Sequence, residues 1–483
     1  MTESSPPWYT SRRVRRRQTR PAPTTMLDRF PYGKAPLCLL VIAIVASALR
    51  VLTFSGRPKR ADLVIVTLSA YHYEAYQKPI REFERSRGVS VRLQFANATS
   101  LQSRLQNAML AGTEIPDMAE LVENSLSFFT RGPRKDIGLL DLTDRLHESG
   151  LDKRLVPSRL SLWTSGGRTY ALPHDVHPVM LAYRRDLVEQ LGIDVTQLGT
   201  WEKFVEAGRR VTRDVDGDGT IDRYMIDLSY DGSWSLDALL LQRGVQLFDD
   251  AGKVAFDNEV TVEVIQWLLR QSFGPQKIAY DPDASGSSGQ SLMKAMTDGL
   301  VLFVWTPDWR SRVFQDDAPH LGGKMALMPL PAWEPGGRRT SVWGGTGLVI
   351  AKRTRHPDWA WDLANFLYYD PKEIGARFAR TNIVPVLEDA WVLPELDAPN
   401  PYYSNQPIGR MYADLAPSTP PRHLTPLSFV AEQKLYEAYA RGLEHYRRSG
   451  EDGLADAIRG ELARAKEYVN LRAERVAALA GAQ

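Results

Sequence analysis

VIVTLSAYHYEAYQKPIREFERSRGVSVRLQF, residues 64–95, is the stretch on which the fold turns. VIVTL (64–68) is a short apolar run rich in β-branched residues, as in a buried strand. The polar and aromatic SAYHYEAY that follows reads as a loop. Tyr76, Ile80 and Phe83 then fall on one face of a helix, with Pro79 suited to its first turn. Val91, Leu93 and Phe95 alternate as in a half-buried strand. Two strands joined through a helix are most economically a parallel pair.

Working outward, a second helix is expected from about Ser100, as N-cap, to Gly112, as C-cap, with Leu101, Leu105 and Ala108 on one face. IPDMAEL reads as loop into strand. Strand and helix patterns alternate to about residue 380, which makes the chain α/β. Polar or Pro/Gly-rich stretches at 281–291, 329–340 and 398–422 punctuate it. The chain closes on helices with apolar faces at Leu435, Tyr439, Leu443 and Tyr446, and at Leu454, Ile458, Leu462 and Val469. There is no internal repeat, no long heptad and no second apolar span after residue 54.

The chain has 483 residues, enough for about three domains or two large ones. With 43% hydrophobic and 24% charged residues it is an ordinary globular composition. The single cysteine, Cys38, excludes a disulfide framework, a cysteine zinc site and an iron–sulfur cluster built from this chain alone. Residues 1–34 carry eight basic and two acidic side chains, net +6; the whole chain is +2, which leaves −4 on residues 35–483. The basic character belongs to a short tail, so no nucleic-acid partner is expected.

After that tail comes APLCLLVIAIVASAL, 15 apolar residues from 35 to 49, then Arg50 and VLTF. A basic region before an apolar core is the pattern of export. A bilayer span takes about 20 apolar residues and a signal-peptide core about 7–15. The run sits at the border, and residues 35–54 read either as a cleaved signal, with Ala46-Ser47-Ala48 as the small-residue site, or as an uncleaved anchor. Residues 1–34 then form a cytoplasmic tail and the rest is exported, to the periplasm or cell surface. Ser11-Arg12-Arg13 is a weak twin-arginine motif, and Cys38 is poorly placed for lipid attachment.

Asp214-Val-Asp216-Gly-Asp218-Gly219-Thr220-Ile221-Asp222 is the most specific short motif. Oxygens at loop positions 1, 3, 5 and 9 converge on a hard cation, and Gly219 permits the sharp turn. Position 12, normally a bidentate Glu, is Met225. Asp214, Asp216, Asp218 and Asp222 therefore read as a weak structural calcium site or as a solvated acidic turn. His174-Asp175-Val176-His177 is more simply a set of polar residues lining a cleft or the surface than a metal site. Among 12 tryptophans, Trp234, Trp305, Trp309, Trp333 and Trp343 sit near Gly, Pro, Ser or Asp. Their flat faces suit sugar rings, with core packing as the alternative for each. Trp343-Gly344-Gly345-Thr346-Gly347 lacks the Lys-Ser/Thr of a phosphate loop and runs into a strand. No carboxylate pair stands out for glycoside cleavage.

The order VIVTL, IREFERSRGVSVRLQF, LQNAMLAGTEIPDM, GGRTYALPHDVHPVMLAYRRDLVEQLGI, TWEKFVEAGRRV, DVDGDGTID, GLVLFVWTPDW, VWGGTGLVIAKRTRHPDWAWDLANFL and RTNIVPVL resembles extracellular solute-binding proteins of ABC importers. The resemblance, over about residues 62–470, is to the sugar-binding family that includes maltodextrin-binding protein. It implies a two-lobed α/β fold of the periplasmic-binding-protein type (type II), with the ligand cleft between lobes. About three chain crossings are implied, near 172–177, 344–349 and 382–386. The implied lobes are 62–173 with 346–382, and 174–345 with 383–483. Carried over residue by residue, the ligand contacts would be Tyr71, His72, Glu120, Asn124, Asp175, His177, Tyr230, Trp234, Trp305, Trp309 and Trp343. The implied partners are a sugar or oligosaccharide and the permease subunits of an ABC transporter. The protein would act as a monomer, without catalysis or a cofactor for activity, and would meet the membrane through its N-terminal segment. An exported carbohydrate-active enzyme, a ligand-sensing partner of a membrane receptor, and a cargo other than sugar are the competing readings.

Overall fold

The computed structural model describes residues 34–53, 61–228, 233–249, 251–280 and 290–481. The chain divides into two units, Met1–Arg60 and Ala61–Gln483. In the first, the apolar run forms helix α1, Lys34–Thr53. Leu39, Ile42, Ile44 and Leu49 are exposed on it. Among the described residues no helix is long and apolar enough to cross a membrane, so the spanning reading of 35–54 gains no support there.

In the second unit, LVIVT makes strand β1, Leu63–Thr67, and the helix after it is α2, Ala70–Arg87. That helix begins earlier than the sequence implies. The Ser69 side chain accepts from the His72 N–H and caps it, so SAYHYEAY is helical and Pro79 lies in its interior. Tyr76, Ile80 and Phe83 are buried as expected, and Gly88 ends the helix in the left-handed region at φ 67°. Strand β2, Val91–Phe95, pairs in parallel with β1 from Leu63↔Val91 to Thr67↔Phe95. As an edge strand it leaves Phe95 exposed. Helix α3, Ala98–Ala111, is capped by Asn97, whose side chain accepts from the Ser100 N–H; Ser100 is thus inside the helix.

Three more strands complete the first sheet: β3 (Met118–Val122), β4 (Ala171–Pro173) and, much later, β10 (Thr346–Ile350). The order is β2-β1-β3-β10-β4, with β10 antiparallel to both neighbours. The second sheet holds β5 (Val179–Arg184), β6 (Tyr224–Asp227), β7 (Ala279–Tyr280), β8 (Val301–Pro307) and β9 (Met325–Pro329), in the order β9-β5-β8-β6-β7. Here β5 runs antiparallel to β8 and β9, and β6 and β7 follow β8 in parallel. Two sheets, each covered by helices, make a two-lobed α/β body. The closing helices Ser428–Ser449 and Leu454–Gly481 pack on the second sheet's lobe through Leu435, Tyr439, Leu443, Ile458 and Leu462.

The segments joining the sheets are 174–178, between β4 and β5, and 330–345, between β9 and β10. They leave each sheet at one end, where Val122, Thr346, Pro173, Val179 and Pro307 lie. The segment after the helix Pro371–Thr381 meets them there: the Val176 N–H donates to Val384 O, and Asp175 bridges Pro385. One apolar cluster runs from Ile65 in the first sheet through Leu172, Val176 and Val384 to Met180 in the second.

Gly347 in β10 lets the Trp163 ring lie against the sheet; an added Cβ would stand 2.5 Å from Trp163 Cε2. Trp163 is fully buried and cannot yield space. Gly347→Ala is expected to cost about 1–3 kcal/mol of stability, read by chemical denaturation; an unchanged midpoint would refute this close approach.

Candidate ligand site between the two lobes

The C-terminal ends of the parallel strands and all three connecting segments converge on one place, where α/β folds present ligand-binding groups. Asp175 follows β4, Glu123 and Asn124 follow β3, and Asp308 and Trp309 follow β8.

His177 holds the junction. Its backbone is left-handed, at φ 58°. Its Nε2–H donates to Asp175 Oδ2 at 3.0 Å and its Nδ1–H to Asp308 Oδ1 at 2.5 Å. All three side chains are buried. Burial favours the neutral ring, but the Asp175 and Asp308 carboxylates outweigh it and raise the imidazole to about 10. Burial also works against the Asp175 carboxylate, and His177 with the hydrogen bonds of His174 and His177 holds it well below the usual range. Asp175 further accepts the Thr346 N–H, and Asp308 Oδ2 accepts the Val384 N–H at 2.7 Å. One imidazolium thus ties β8 to all three connecting segments.

The WGGTG glycines serve this packing. A Cβ on Gly344, at φ 96°, would sit 3.2 Å from His177 Cδ2, and one on Gly345 would collide with the Arg159 guanidinium. Arg159 is buried and donates from Nη2 to Gly344 O at 2.8 Å. Glu123 Oε2, Arg159 Nη1, Asn124 Oδ1 and Arg422 Nε are buried with no hydrogen-bond partner. Across the lobes, the Arg422 Nη1 lies 3.3 Å from Glu123 Oε1 while its Nη2 contacts Asp237. Asn124 Nδ2 donates to Glu432 Oε2 at 3.1 Å, Tyr71 donates its hydroxyl to Asp316 at 3.0 Å, and Phe128 meets Phe429 at 5.5 Å between ring centroids. Burial, aided by the Asp316 carboxylate, raises the Tyr71 phenol to about 12.

The aromatic candidates part company. Trp309 and Trp343 are half-buried at the junction, edge to face at 6.0 Å, with Trp309 Nε1 donating to Trp343 O. Arg310 stands 5.3 Å over the Trp343 ring. Trp305 points the other way, into the second lobe's core, 2% exposed and 5.7 Å from Trp201. Trp305 lies within β8, which is buried along its whole length, whereas Trp309 stands past the strand's end in the first turn of the helix Asp308–Asp317.

His72 and Glu120 are also not at the opening. Glu120 is fully buried on β3 and accepts from Thr67, Tyr76 and Tyr368 hydroxyls, with His72 Nδ1 at 3.0 Å. Burial opposes its charge, but His72 and these hydrogen bonds hold it at about 2. His174, ring to ring with His72 at 4.3 Å, is pushed down to about 3 by burial and by His72. This is an internal polar core of the first lobe. Tyr230 and the Trp234 side chain lie outside the described residues.

The acidic loop is far from this chemistry in kind. Oxygens of Asp214, Asp216 and Asp218 lie within 4.8 Å of one another. Asp222 instead accepts the Val215 and Asp216 N–H groups and closes the loop. Asp214 accepts the Gly219 and Gly217 N–H groups, which hold it below its ordinary range.

Against known proteins, residues 69–371, more than half of the chain, match the family model of bacterial extracellular solute-binding proteins. The chain belongs to that family. Among similar proteins are the arabinooligosaccharide-binding proteins of Halalkalibacterium halodurans and Bacillus subtilis. Each is 26% identical to this solute-binding protein, over 71% and 76% of its length and 75% and 84% of theirs. The sugar-binding protein MalE of Xanthomonas citri shares the fold at a TM-score of 0.69 and 20% identity, covering 85% of this chain and 98% of its own. The ABC transporter associated binding protein from B. animalis subsp. lactis Bl-04, in complex with β-1,6-galactobiose, gives a TM-score of 0.62 at 19% identity, over 85% of this chain and 98% of its own.

Glu123, Arg159, Asp308, Arg422 and Glu432 escaped the sequence reading. Asp308 lies inside the quoted WTPDW, but Arg422 meets Asp237 across 185 residues and Asn124 meets Glu432 across 308. No local spacing marks such pairs.

Glu432 gives a testable pH signature. Burial, then the Asp237 carboxylate, raise it from 4.5 to about 7, against the pull of Arg422, with Tyr436, Glu123 and Asn124 beside it. The folded state therefore holds a proton that the unfolded state releases, and stability falls as pH rises from about 4.5 past about 7. Glu432→Gln is expected to gain melting temperature relative to wild type as pH rises from 5 to 8 by roughly a few degrees; a difference constant with pH would refute the shift.

Proposed function

We propose that the binding protein captures a sugar or short oligosaccharide between its lobes and delivers it to the membrane permease of an ABC importer. The observation that carries this is the half-buried Trp309–Trp343 pair beside buried donors and acceptors at the strand ends between the sheets. Aromatic faces stack on the C–H faces of sugar rings, and charged donors and acceptors answer the hydroxyls. The names of the curated relatives and the sugars in the related structures support the same cargo. A solute touching both lobes favours the closed form through contacts the open form lacks. Micromolar affinity, about −8 kcal/mol, is within reach of a few stacked rings and charge-assisted hydrogen bonds after ordering costs.

Binding without turnover fits the carboxylates nearest the tryptophans. Asp175 is kept ionised by His177, and Asp308 accepts from His177, Trp309 and Val384. The oxygens of both are taken up by these internal contacts rather than aimed at a glycosidic oxygen. Residues 1–54 fit an export leader, cleaved or kept as a membrane tether, and the monomer is the working form. The Asp214–Asp216–Asp218 turn would hold a structural calcium weakly, distant from the ligand chemistry.

Calorimetry against arabino- and malto-oligosaccharides tests the cargo, with product analysis as the check for turnover. Trp309→Ala is expected to weaken sugar binding at least about tenfold, or 1.4 kcal/mol, whereas Trp305→Ala lowers the melting temperature and leaves affinity within about threefold. Equal affinity losses in both would refute the assignment of Trp309. Calcium at about millimolar concentration is expected to raise the melting temperature of wild type but not of Asp214→Asn/Asp216→Asn; equal responses would identify a solvated turn.

A further inference from the structure

Residues 419–427, TPPRHLTPL, form a strap without helix or strand that ties the lobes together. Gln246 of the second lobe grips it twice, donating to Pro421 O and accepting the His423 N–H. Leu424 packs against the first lobe's core around Val66 and Leu121, and Arg131 donates to Pro426 O. The strap borders an opening of about 490 Å³ between Pro157, Leu160 and Thr164 on one side and Asp249 and Gly252 on the other. From its buried side it extends Arg422, 5% exposed, between Glu123 of the first lobe and Asp237 of the second. Glu432 stands in the same charge group.

Glu123 is buried and Asp237 beside it is half-buried, and two carboxylates so placed draw a cation. Arg159 does not answer them: it lies 4.0 Å from Glu123 and is spent on Gly344 O and Asp175 O. Arg422 does, and it comes from beyond residues 69–371, the part matched by the family model.

We propose that Arg422 is a built-in counter-ion that fixes the specificity of the cleft: its guanidinium fills the cation position between Glu123 and Asp237, so that the site accepts uncharged, hydroxyl-bearing solutes and rejects cationic ones. What remains open supports this. The unpaired Arg422 Nε and Arg159 Nη1 are donors, and the unpaired Glu123 Oε2 and Asn124 Oδ1 are acceptors. Hydroxyl groups serve both, because each donates and accepts. An ammonium or guanidinium solute serves only the acceptors and meets two fixed cations. The inference rests on the sugar reading for its ligand, but not for its cation site.

The test is removal and chemical replacement. Arg422→Ala should lose at least about tenfold in affinity for the panel sugar that binds wild type tightest. Guanidinium chloride at about 20 mM should raise the variant's melting temperature by at least about 2 °C over equal sodium chloride and recover part of the sugar affinity, while wild type shows no such difference. Arg422→Lys, which keeps the charge, should show no guanidinium response. A folded Arg422→Ala that responds alike to guanidinium and sodium overturns the proposal. If the alanine variant does not fold in buffer, folding on addition of guanidinium supports the proposal; failure to fold with it, together with a folded Arg422→Gln that shows no guanidinium response or an Arg422→Gln that also stays unfolded, overturns it. Should no sugar bind wild type, the cargo reading fails while the guanidinium measurements still decide the counter-ion.

Discussion

The two-carboxylate clamp on His177 is the interaction on which the arrangement of the lobes depends. A two-lobed binding protein must join rigid sheets through segments that hold register and still allow the lobes to move. Here the three connecting segments lie side by side, and a single buried imidazolium between Asp175 and Asp308 fastens them to the end of β8. Removing the ring would leave two buried carboxylates without their cation, a loss on the order of 3–5 kcal/mol. The left-handed backbone of His177 and the missing side chains of Gly344 and Gly345 are local costs accepted for that placement.

Polar groups in the interior divide into two kinds. Glu120, inside one lobe, has both carboxylate oxygens taken up by Thr67, Tyr76, Tyr368 and His72. Such a network fixes structure. Around Glu123, where the lobes meet, the bonding is incomplete: Glu123 Oε2, Asn124 Oδ1, Arg159 Nη1 and Arg422 Nε lack hydrogen-bond partners. Unpaired buried donors and acceptors are expensive unless something else completes them.

Much of the fold was legible in the sequence. The β-branched run before residue 68, the apolar faces at Tyr76/Ile80/Phe83 and Leu435/Tyr439/Leu443, and Gly112 as a helix end all reflect local periodicity and backbone preference. The start of α2 was misplaced because Ser69 outweighs the signal of Pro79, which a helix interior tolerates here. The site was legible in outline only. WTPDW contained the tryptophan at the junction, yet spacing could not tell Trp309 from Trp305, since that depends on where β8 ends: Trp305 lies within the strand and is buried, and Trp309 lies just past it in the helix Asp308–Asp317.

The sequence by itself determined an α/β chain preceded by a basic stretch and an apolar run, and the residue types that line a cleft, because secondary structure follows from patterns within about 20 residues. Only the tertiary structure decided which polar groups are satisfied, which tryptophan faces inward, and that Arg422 reaches Glu123 and Asp237. Those outcomes rest on contacts between residues hundreds of positions apart, whose energies come from burial and geometry that no local pattern encodes.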